Sequence, residues 1–148
     1  MKGKKYISTP LKYYFVDVGL RNARLNFRQQ EENHIMENII FNELKIRGFD
    51  VDVGVVEHNT KDARGKSQRN YLEVDFIANM GSKRFYIQSA LNIDDQEKKQ
   101  QEINSLCRIN DSFKKFVVIK DNIEPWQDDK GIQYIGIEQF LLEEDWLR

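Results

Sequence analysis

The sequence predicts an α/β domain in which helices flank both sides of a mixed β-sheet. Runs rich in β-branched and aromatic residues are interspersed with helix-like stretches along the chain, an order typical of a sheet covered by helices. One run, residues 115–120, is almost continuously apolar, as expected for a strand buried on both faces. With 148 residues, the whole chain (1–148) is long enough to bury the core of a single domain.

The first elements are predicted from a change of pattern near the N-terminus. Residues 12–18 are typical of a short strand closed by Gly19, and residues 20–27 of a weak helix. Residues 31–47 predict a strong helix that ends at Gly48, since glycine favours the left-handed conformation that follows a helix.

Strands dominate the middle of the chain, and helices alternate with strands after it. The polar segment 57–70 predicts a mobile tip between two strands, because it lacks an apolar pattern. The predicted elements are strands 50–56, 71–79 and 83–90, a helix 94–107 capped by Asp94 or Asp95, strands 115–120 and 131–137, and a closing helix 138–147.

The hairpin formed by residues 73–90 carries an unusual polar row. Gly81 suits the first loop position of a type II′ turn. In the resulting register Asp75 lies opposite Gln88, with Ala90 on the same face, because side chains two apart in a strand share a face. This row is either the water-facing side of an edge hairpin or part of a functional site.

The helix 31–47 also carries an acid where an apolar side chain is expected. Glu37 falls inside the apolar arc, so its carboxylate must be paired, protonated or bound to a cation. Glu43 falls inside the arc as well, and both side chains alternatively extend outward from the helix flank. The arc is formed by Ile35, Met36, Ile39, Ile40, Phe41, Leu44 and Ile46.

Composition excludes several protein classes. Hydrophobic residues make up 40% and charged residues 32% of the chain, and no apolar run has the length of a membrane span or follows the basic N-terminus as a signal peptide would. A single cysteine excludes an internal disulfide, and two histidines with one cysteine argue against a structural zinc site. We therefore expect a cytoplasmic protein that does not bind membranes.

Four cations in the segment 57–70 are candidates for nucleic-acid binding, because lysine and arginine side chains on a loop are able to follow a phosphate backbone. The alternative is a solvated loop that binds nothing. These residues are Lys61, Arg64, Lys66 and Arg69.

Glu37 lies on a predicted helix, Asp75 lies on the first strand of a predicted hairpin, and Gln88 lies two residues before the position of a lysine. This arrangement resembles the PD-(D/E)XK nuclease superfamily, which has the restriction-endonuclease-like fold. More narrowly, four blocks are similar to a domain of unknown function at the C-terminal end of many bacterial and archaeal-type AAA ATPases. The blocks are residues 13–22, 36–44, 73–76 and 86–90.

The resemblance implies a P-loop ATPase module and a winged-helix segment before this domain. The chain contains no Gly-x-x-x-x-Gly-Lys-Ser/Thr motif, so ATP would bind only to the absent module. We therefore expect the chain to be the C-terminal fragment of a longer AAA ATPase.

The resemblance also implies a set of hard oxygen ligands for Mg²⁺, which would polarise a phosphate and lower the pKa of an attacking water. Gln88 in place of a carboxylate removes one negative charge and weakens the expected metal binding. The implied ligands are the side chains of Glu37, Asp75 and Gln88 and the backbone carbonyl of Ser89.

Ala90 occupies the position at which the superfamily has a lysine, and alanine supplies neither a donor nor a charge to the transition state. Lys98 or Lys99 on the following helix is a candidate for a migrated catalytic lysine. We expect a catalytically degenerate accessory domain that binds nucleic acid or a partner. The alternatives are an active Mg²⁺-dependent DNA nuclease that uses one of these lysines, or a dimerisation or regulatory domain that forms a homo-oligomer without DNA.

Overall fold

The computed structural model describes residues 12–28, 31–61, 65–143 and 145–147. Within these residues the chain forms four α-helices and six strands. The helices are α1 (Val18–Arg24), α2 (Glu32–Ile46), α3 (Gln96–Cys107) and α4 (Ile137–Leu142), and a short 3₁₀ helix spans Asp145–Leu147. The strands are β1 (Asp50–Lys61), β2 (Ser67–Met80), β3 (Lys83–Ala90), β4 (Lys114–Ile119), β5 (Trp126–Gln127) and β6 (Ile132–Gly136).

The strands form one mixed sheet in the order β1-β2-β3-β4-β6-β5. The first three strands are antiparallel, β4 is parallel to both β3 and β6, and β5 is an antiparallel edge strand. Helix α3 connects the parallel strands β3 and β4, as a parallel pair requires.

Helices cover both faces of the sheet, which confirms the predicted fold class. On one face, α2 and α4 pack onto Phe76, Ile87 and Phe116. On the other face, α3 inserts Ile103 and Leu106 among the opposite side chains of the same strands. Strand β4 contributes buried side chains to both clusters, as its apolar run predicts.

The end of α2 is formed as predicted. Gly48 has a φ of 86°, and its N–H donates to Lys45 O at 3.0 Å while Phe49 N–H donates to Leu44 O at 3.0 Å. This Schellman pattern satisfies the last carbonyls and turns Phe49 into the core. The predicted apolar arc is wrong at Ile46, which is 79% exposed because it lies at the last helical position.

Residues 12–18 do not form the predicted strand. The chain is irregular up to Asp17, whose carboxylate accepts from Leu20 N–H and starts α1 at Val18. The backbone of this segment is satisfied by side chains instead of a neighbouring strand. Asn38 accepts from Phe15 N–H at 2.7 Å and donates to Phe15 O at 2.6 Å, and Asn42 donates to the same oxygen at 2.9 Å.

We expect the substitution Asn38→Leu to detach this segment. Leucine has a similar size but leaves Phe15 N–H without its acceptor, so the free energy of unfolding is expected to fall by about 1–2 kcal/mol. Urea denaturation measures the change. Asn42→Leu is the control, because Asn38 still donates to Phe15 O, and Val16 O, which Asn42 also contacts, belongs to an exposed residue that water can reach. An equal loss for both variants would contradict the role of the buried amide.

The predicted mobile tip at residues 57–70 is largely strand. Strand β1 extends to Lys61 and β2 begins at Ser67, with His58 paired to Asn70 across a ribbon. Asn70 also donates to Thr60 Oγ1 at 2.6 Å. Backbone pairing does not require an apolar face, which is why a polar segment forms strands here.

The closing helix is shorter than predicted and ends at Leu142. Arg47, at the end of α2, donates to the carbonyls of Phe140 at 2.6 Å and Glu143 at 3.2 Å. These bonds satisfy carbonyls at the end of α4 that have no partner within the helix. In the parts of the chain given above, every helix is too short or too polar to traverse a lipid bilayer.

Candidate functional site

The candidate site is built at the end of the β2–β3 hairpin. The predicted register is confirmed from the Met80–Lys83 pair to the Phe76–Ile87 pair. Beyond that point the two backbones no longer pair regularly. Instead of facing Gln88 across a ladder, Asp75 donates its N–H to Gln88 Oε1 at 3.3 Å, and its Oδ2 accepts from Ser89 N–H at 2.9 Å.

A bulge in β2 explains this departure. Asp52 pairs with Ile77 but Gly54 pairs with Val74, so three steps along β2 oppose two along β1. A Cβ on Gly54 would lie 2.9 Å from Val74 Cβ, so only glycine fits against the bulge. Val74 and Phe76 are buried on opposite faces although they are two residues apart. Asp75 therefore leaves the strand alternation and turns its carboxylate towards β3 and α2.

The ammonium group of Lys12 lies among three carboxylates at this point. Lys12 Nζ is 3.1 Å from Glu37 Oε2 and 3.3 Å from Asp75 Oδ1, and it also contacts Glu73 Oε1. The side chains of Glu37 and Asp75 are only 16% and 10% exposed. The acid within the apolar arc of α2 is thus paired, and its partner comes from the irregular N-terminal segment.

Burial and charge shift the protonation of this cluster. Burial raises the pKa of Asp75 to about 6; the charge of Glu37 also raises it, whereas Ser89 N–H and Lys12 lower it. Burial alone would lower the pKa of Lys12. The contact with Glu73 and the charges of Asp75 and Glu37 outweigh that effect and hold the pKa of Lys12 above its usual value.

Asp75, Gln88, Ser89 and Lys98 line one cleft of about 380 Å³, together with Glu37. The structure thus brings together the five residues predicted for catalysis and metal binding. Helix α3 closes the far side of the cleft with Gln101 and Glu102, and Asn33, Leu91 and Asn92 complete the lining.

The two candidate lysines of α3 have different surroundings. Lys98 lines the cleft and is exposed. Lys99 lies over the ring of Trp126, with Nζ 4.4 Å from the ring centroid. Of the two, Lys98 is therefore the one placed beside the acids.

The three side chains predicted to bind Mg²⁺ are each engaged by the chain itself. Glu37 and Asp75 share the Lys12 ammonium, and Gln88 Oε1 accepts from Asp75 N–H. Mg²⁺ requires oxygen ligands at about 2.1 Å, much closer than the contacts to an ammonium group. Among the residues that the structure describes, no three histidine, cysteine or carboxylate side chains are grouped to hold a metal ion. As arranged, this site does not fit a divalent cation.

Ala90 is buried and does not line the cleft. It is 3% exposed and packs in the apolar cluster with Val74, Tyr86 and Ile119. A longer side chain at this position would have to displace apolar neighbours before it reached the acids.

Three of the four predicted nucleic-acid-binding cations lie on or next to the β1–β2 ribbon, away from the hairpin turn at Gly81. Lys61 ends β1 and Lys66 precedes β2, while Arg69 lies on β2 with Nε 3.4 Å from Glu57 Oε1. Arg64 lies outside the described residues.

Sequence reasoning missed three residues of the site: Lys12, Glu73 and Glu102. Glu73 lies two residues before Asp75, and this spacing could have indicated a further carboxylate at the site. Glu102 forms a side-chain hydrogen bond with Gln88, and burial raises the pKa of its carboxyl group. Lys12 is 25 residues from Glu37 in the sequence and carries no local signal.

The comparisons with known proteins give one match. A protein of Haemophilus influenzae, described only as uncharacterized, is 32% identical over 143 residues, which cover 97% of this chain and 32% of the relative. The chain thus spans about a third of the length of that relative. No family model and no solved structure matches the sequence.

Proposed function

We propose that this chain is a restriction-endonuclease-like domain with a degenerate PD-(D/E)XK nuclease site that binds nucleic acid without cleaving it. In the same proposal it serves as the C-terminal accessory domain of an AAA-type ATPase. The observation that carries the proposal is the meeting of a helix carboxylate, Glu37, and a strand carboxylate, Asp75, at one cationic group. Two acids from separate elements that contact one cation support the proposal of an inherited cation site.

Three features of the site support the loss of catalysis. Gln88 supplies a neutral amide where a carboxylate would add charge, and its oxygen is already bonded to Asp75 N–H. Ala90 provides no ammonium group and is buried. Lys12 neutralises part of the acidic cluster that would attract a divalent ion.

The H. influenzae relative supports the link to a larger protein. About two thirds of that protein lie outside the part that aligns with this chain. This length leaves room for an ATPase module in a protein of the same kind.

Cleavage and binding assays test the proposal. We expect no cleavage of plasmid or single-stranded DNA in Mg²⁺ or Mn²⁺, and binding whose affinity falls with increasing salt, as phosphate contacts require. Cleavage by the wild type that Asp75→Ala abolishes would overturn the degenerate site. Absent or salt-independent binding would overturn the nucleic-acid role and favour a protein partner.

Two charge reversals at opposite ends of β2 test where DNA binds. Lys66 precedes β2 at the ribbon end, and Lys83 follows its other end across the hairpin turn. Fourteen residues of strand separate them, a distance of roughly 45 Å. We expect Lys66→Glu to weaken binding in fluorescence anisotropy by roughly threefold or more, and Lys83→Glu to leave it unchanged. Equal effects of the two reversals would exclude the ribbon as the binding surface.

An active nuclease is the second candidate function, and the position of Lys98 is the observation that favours it. Lys98 lines the cleft with Glu37 and Asp75, where a migrated lysine would be needed. In this case Lys98→Met would abolish cleavage as completely as Asp75→Ala, whereas Lys99→Met would not.

A further inference from the structure

We propose that Lys12 is the built-in cation of this site and that its ammonium group excludes divalent metal ions. The inference rests on the acidic site of the proposed function but does not require that the domain binds DNA. It predicts a latent divalent-cation site that becomes available when the positive charge at position 12 is removed.

The position of the ammonium group is the first step of the argument. Lys12 Nζ lies within hydrogen-bond distance of an oxygen of Glu37 and of Asp75, and it contacts Glu73 as well. A divalent ion bound by Glu37 and Asp75 would have to lie between the same two oxygens. A metal ion and an ammonium group in one place would repel each other, so occupation by one excludes the other.

The second step is that the ammonium group is held there by the fold. The Lys12 segment does not belong to the sheet, but two asparagines of α2 bond its backbone at Phe15 and Val16. Tyr14 stacks on Phe41 of the same helix, with the ring centroids 4.2 Å apart. This anchoring places Lys12 over the acids and removes the entropic cost of bringing a free cation to the site.

The third step concerns charge. Glu37, Glu73 and Asp75 face one positive charge from Lys12, and oxygen-rich sites bind divalent ions more tightly as their negative charge increases. A neutral residue at position 12 would leave three carboxylates without that charge and free both oxygens that now contact the ammonium group. A hard divalent cation such as Mg²⁺ or Mn²⁺ is the ligand that this arrangement would bind.

Binding of Mn²⁺, measured without nucleic acid from the electron paramagnetic resonance signal of the free ion, tests the inference. We expect Lys12→Met to bind one Mn²⁺ at least tenfold more tightly than the wild type, and the double variant Lys12→Met/Asp75→Asn to lose the gain. Lys83→Met is the control, because Lys83 lies beside the turn at Gly81, at the opposite end of β3 from Gln88 and Ser89, and it is expected to bind as the wild type does.

Two results would overturn the inference: Mn²⁺ binding by Lys12→Met no tighter than by the wild type, or a gain that survives Asp75→Asn. If circular dichroism shows that Lys12→Met does not fold, Lys12→Gln replaces it, because its neutral amide still donates to the carboxylates. A failure here leaves the proposed function intact, since DNA binding and cleavage are measured separately.

Discussion

The substitution Ala90→Lys is expected to destabilise the domain by roughly 3–5 kcal/mol, because it buries an ammonium group among apolar side chains. Ala90 is 3% exposed and lies with Val74, Tyr86 and Ile119. The new side chain either loses its hydration or forces its neighbours apart, and both are costly. Urea denaturation followed by circular dichroism measures the loss.

Gln88→Lys is the matched control for that substitution. Gln88 is two residues before Ala90 on β3, but it lines the cleft beside Glu102. A lysine there reaches water and a carboxylate, so we expect a loss below about 1 kcal/mol. If Ala90→Lys were as stable as Gln88→Lys, position 90 would open into the cleft, and one of the three features proposed to explain the loss of catalysis would fail.

The substitution Lys12→Met is expected to lower the free energy of unfolding at pH 7 by about 2–3 kcal/mol. It leaves Glu37 and Asp75, which are largely buried, without the cation that both contact. The same change is expected to raise the pKa of Asp75 above the value of about 6, since the Lys12 charge lowers it. Carbon-13 NMR of the Asp75 carboxyl group measures that pKa directly.

The pH dependence of this loss has a defined sign. The pKa of Asp75 is about 6 in the folded protein against an ordinary value of 3.8, so the folded state binds this proton more tightly. Stability from protonated Asp75 is therefore present below pH 3.8 and is lost as the pH rises to about 6. In Lys12→Met the pKa of Asp75 lies higher than in the wild type, so the deficit is expected to be largest above that raised pKa and to shrink as the pH falls from it to about 6, because the variant takes up the Asp75 proton first.

Lys98→Met is the control for that series, and its stability is expected to stay within about 0.5 kcal/mol of the wild type at both pH values. A deficit of Lys12→Met that is the same at pH 4 and pH 7 would show that Lys12 stabilises the domain by packing alone. The charge cluster would then have no energetic role.

Local patterns predicted much of the fold. The hairpin register follows from Gly81 and from alternation within a few residues on each side of the turn, and it holds up to the Phe76–Ile87 pair. The end of α2 follows from Gly48, whose φ of 86° suits glycine. Both features depend on neighbours in the sequence, so the sequence alone is sufficient to predict them.

Longer-range packing determines the surroundings of other residues. Asn38 falls on the polar side of the helical wheel but is 3% exposed, because the backbone of Phe15 covers it. The bulge at Asp75 depends on the pairing of β2 with Gly54, which lies 20 residues before Val74 in the chain and passes close to it. Neither contact leaves a periodic trace in the sequence.

The sequence by itself determined the hairpin and the amphipathic helix, and it singled out two acids, Glu37 and Asp75. Only the tertiary structure decided that both are largely buried and which cation pairs with them. Turns and side-chain periodicity act over a few residues and therefore specify strands and helices locally. The partner of a buried charge depends on the path of a distant segment, and here the anchored N-terminal segment brings Lys12 to the carboxylates.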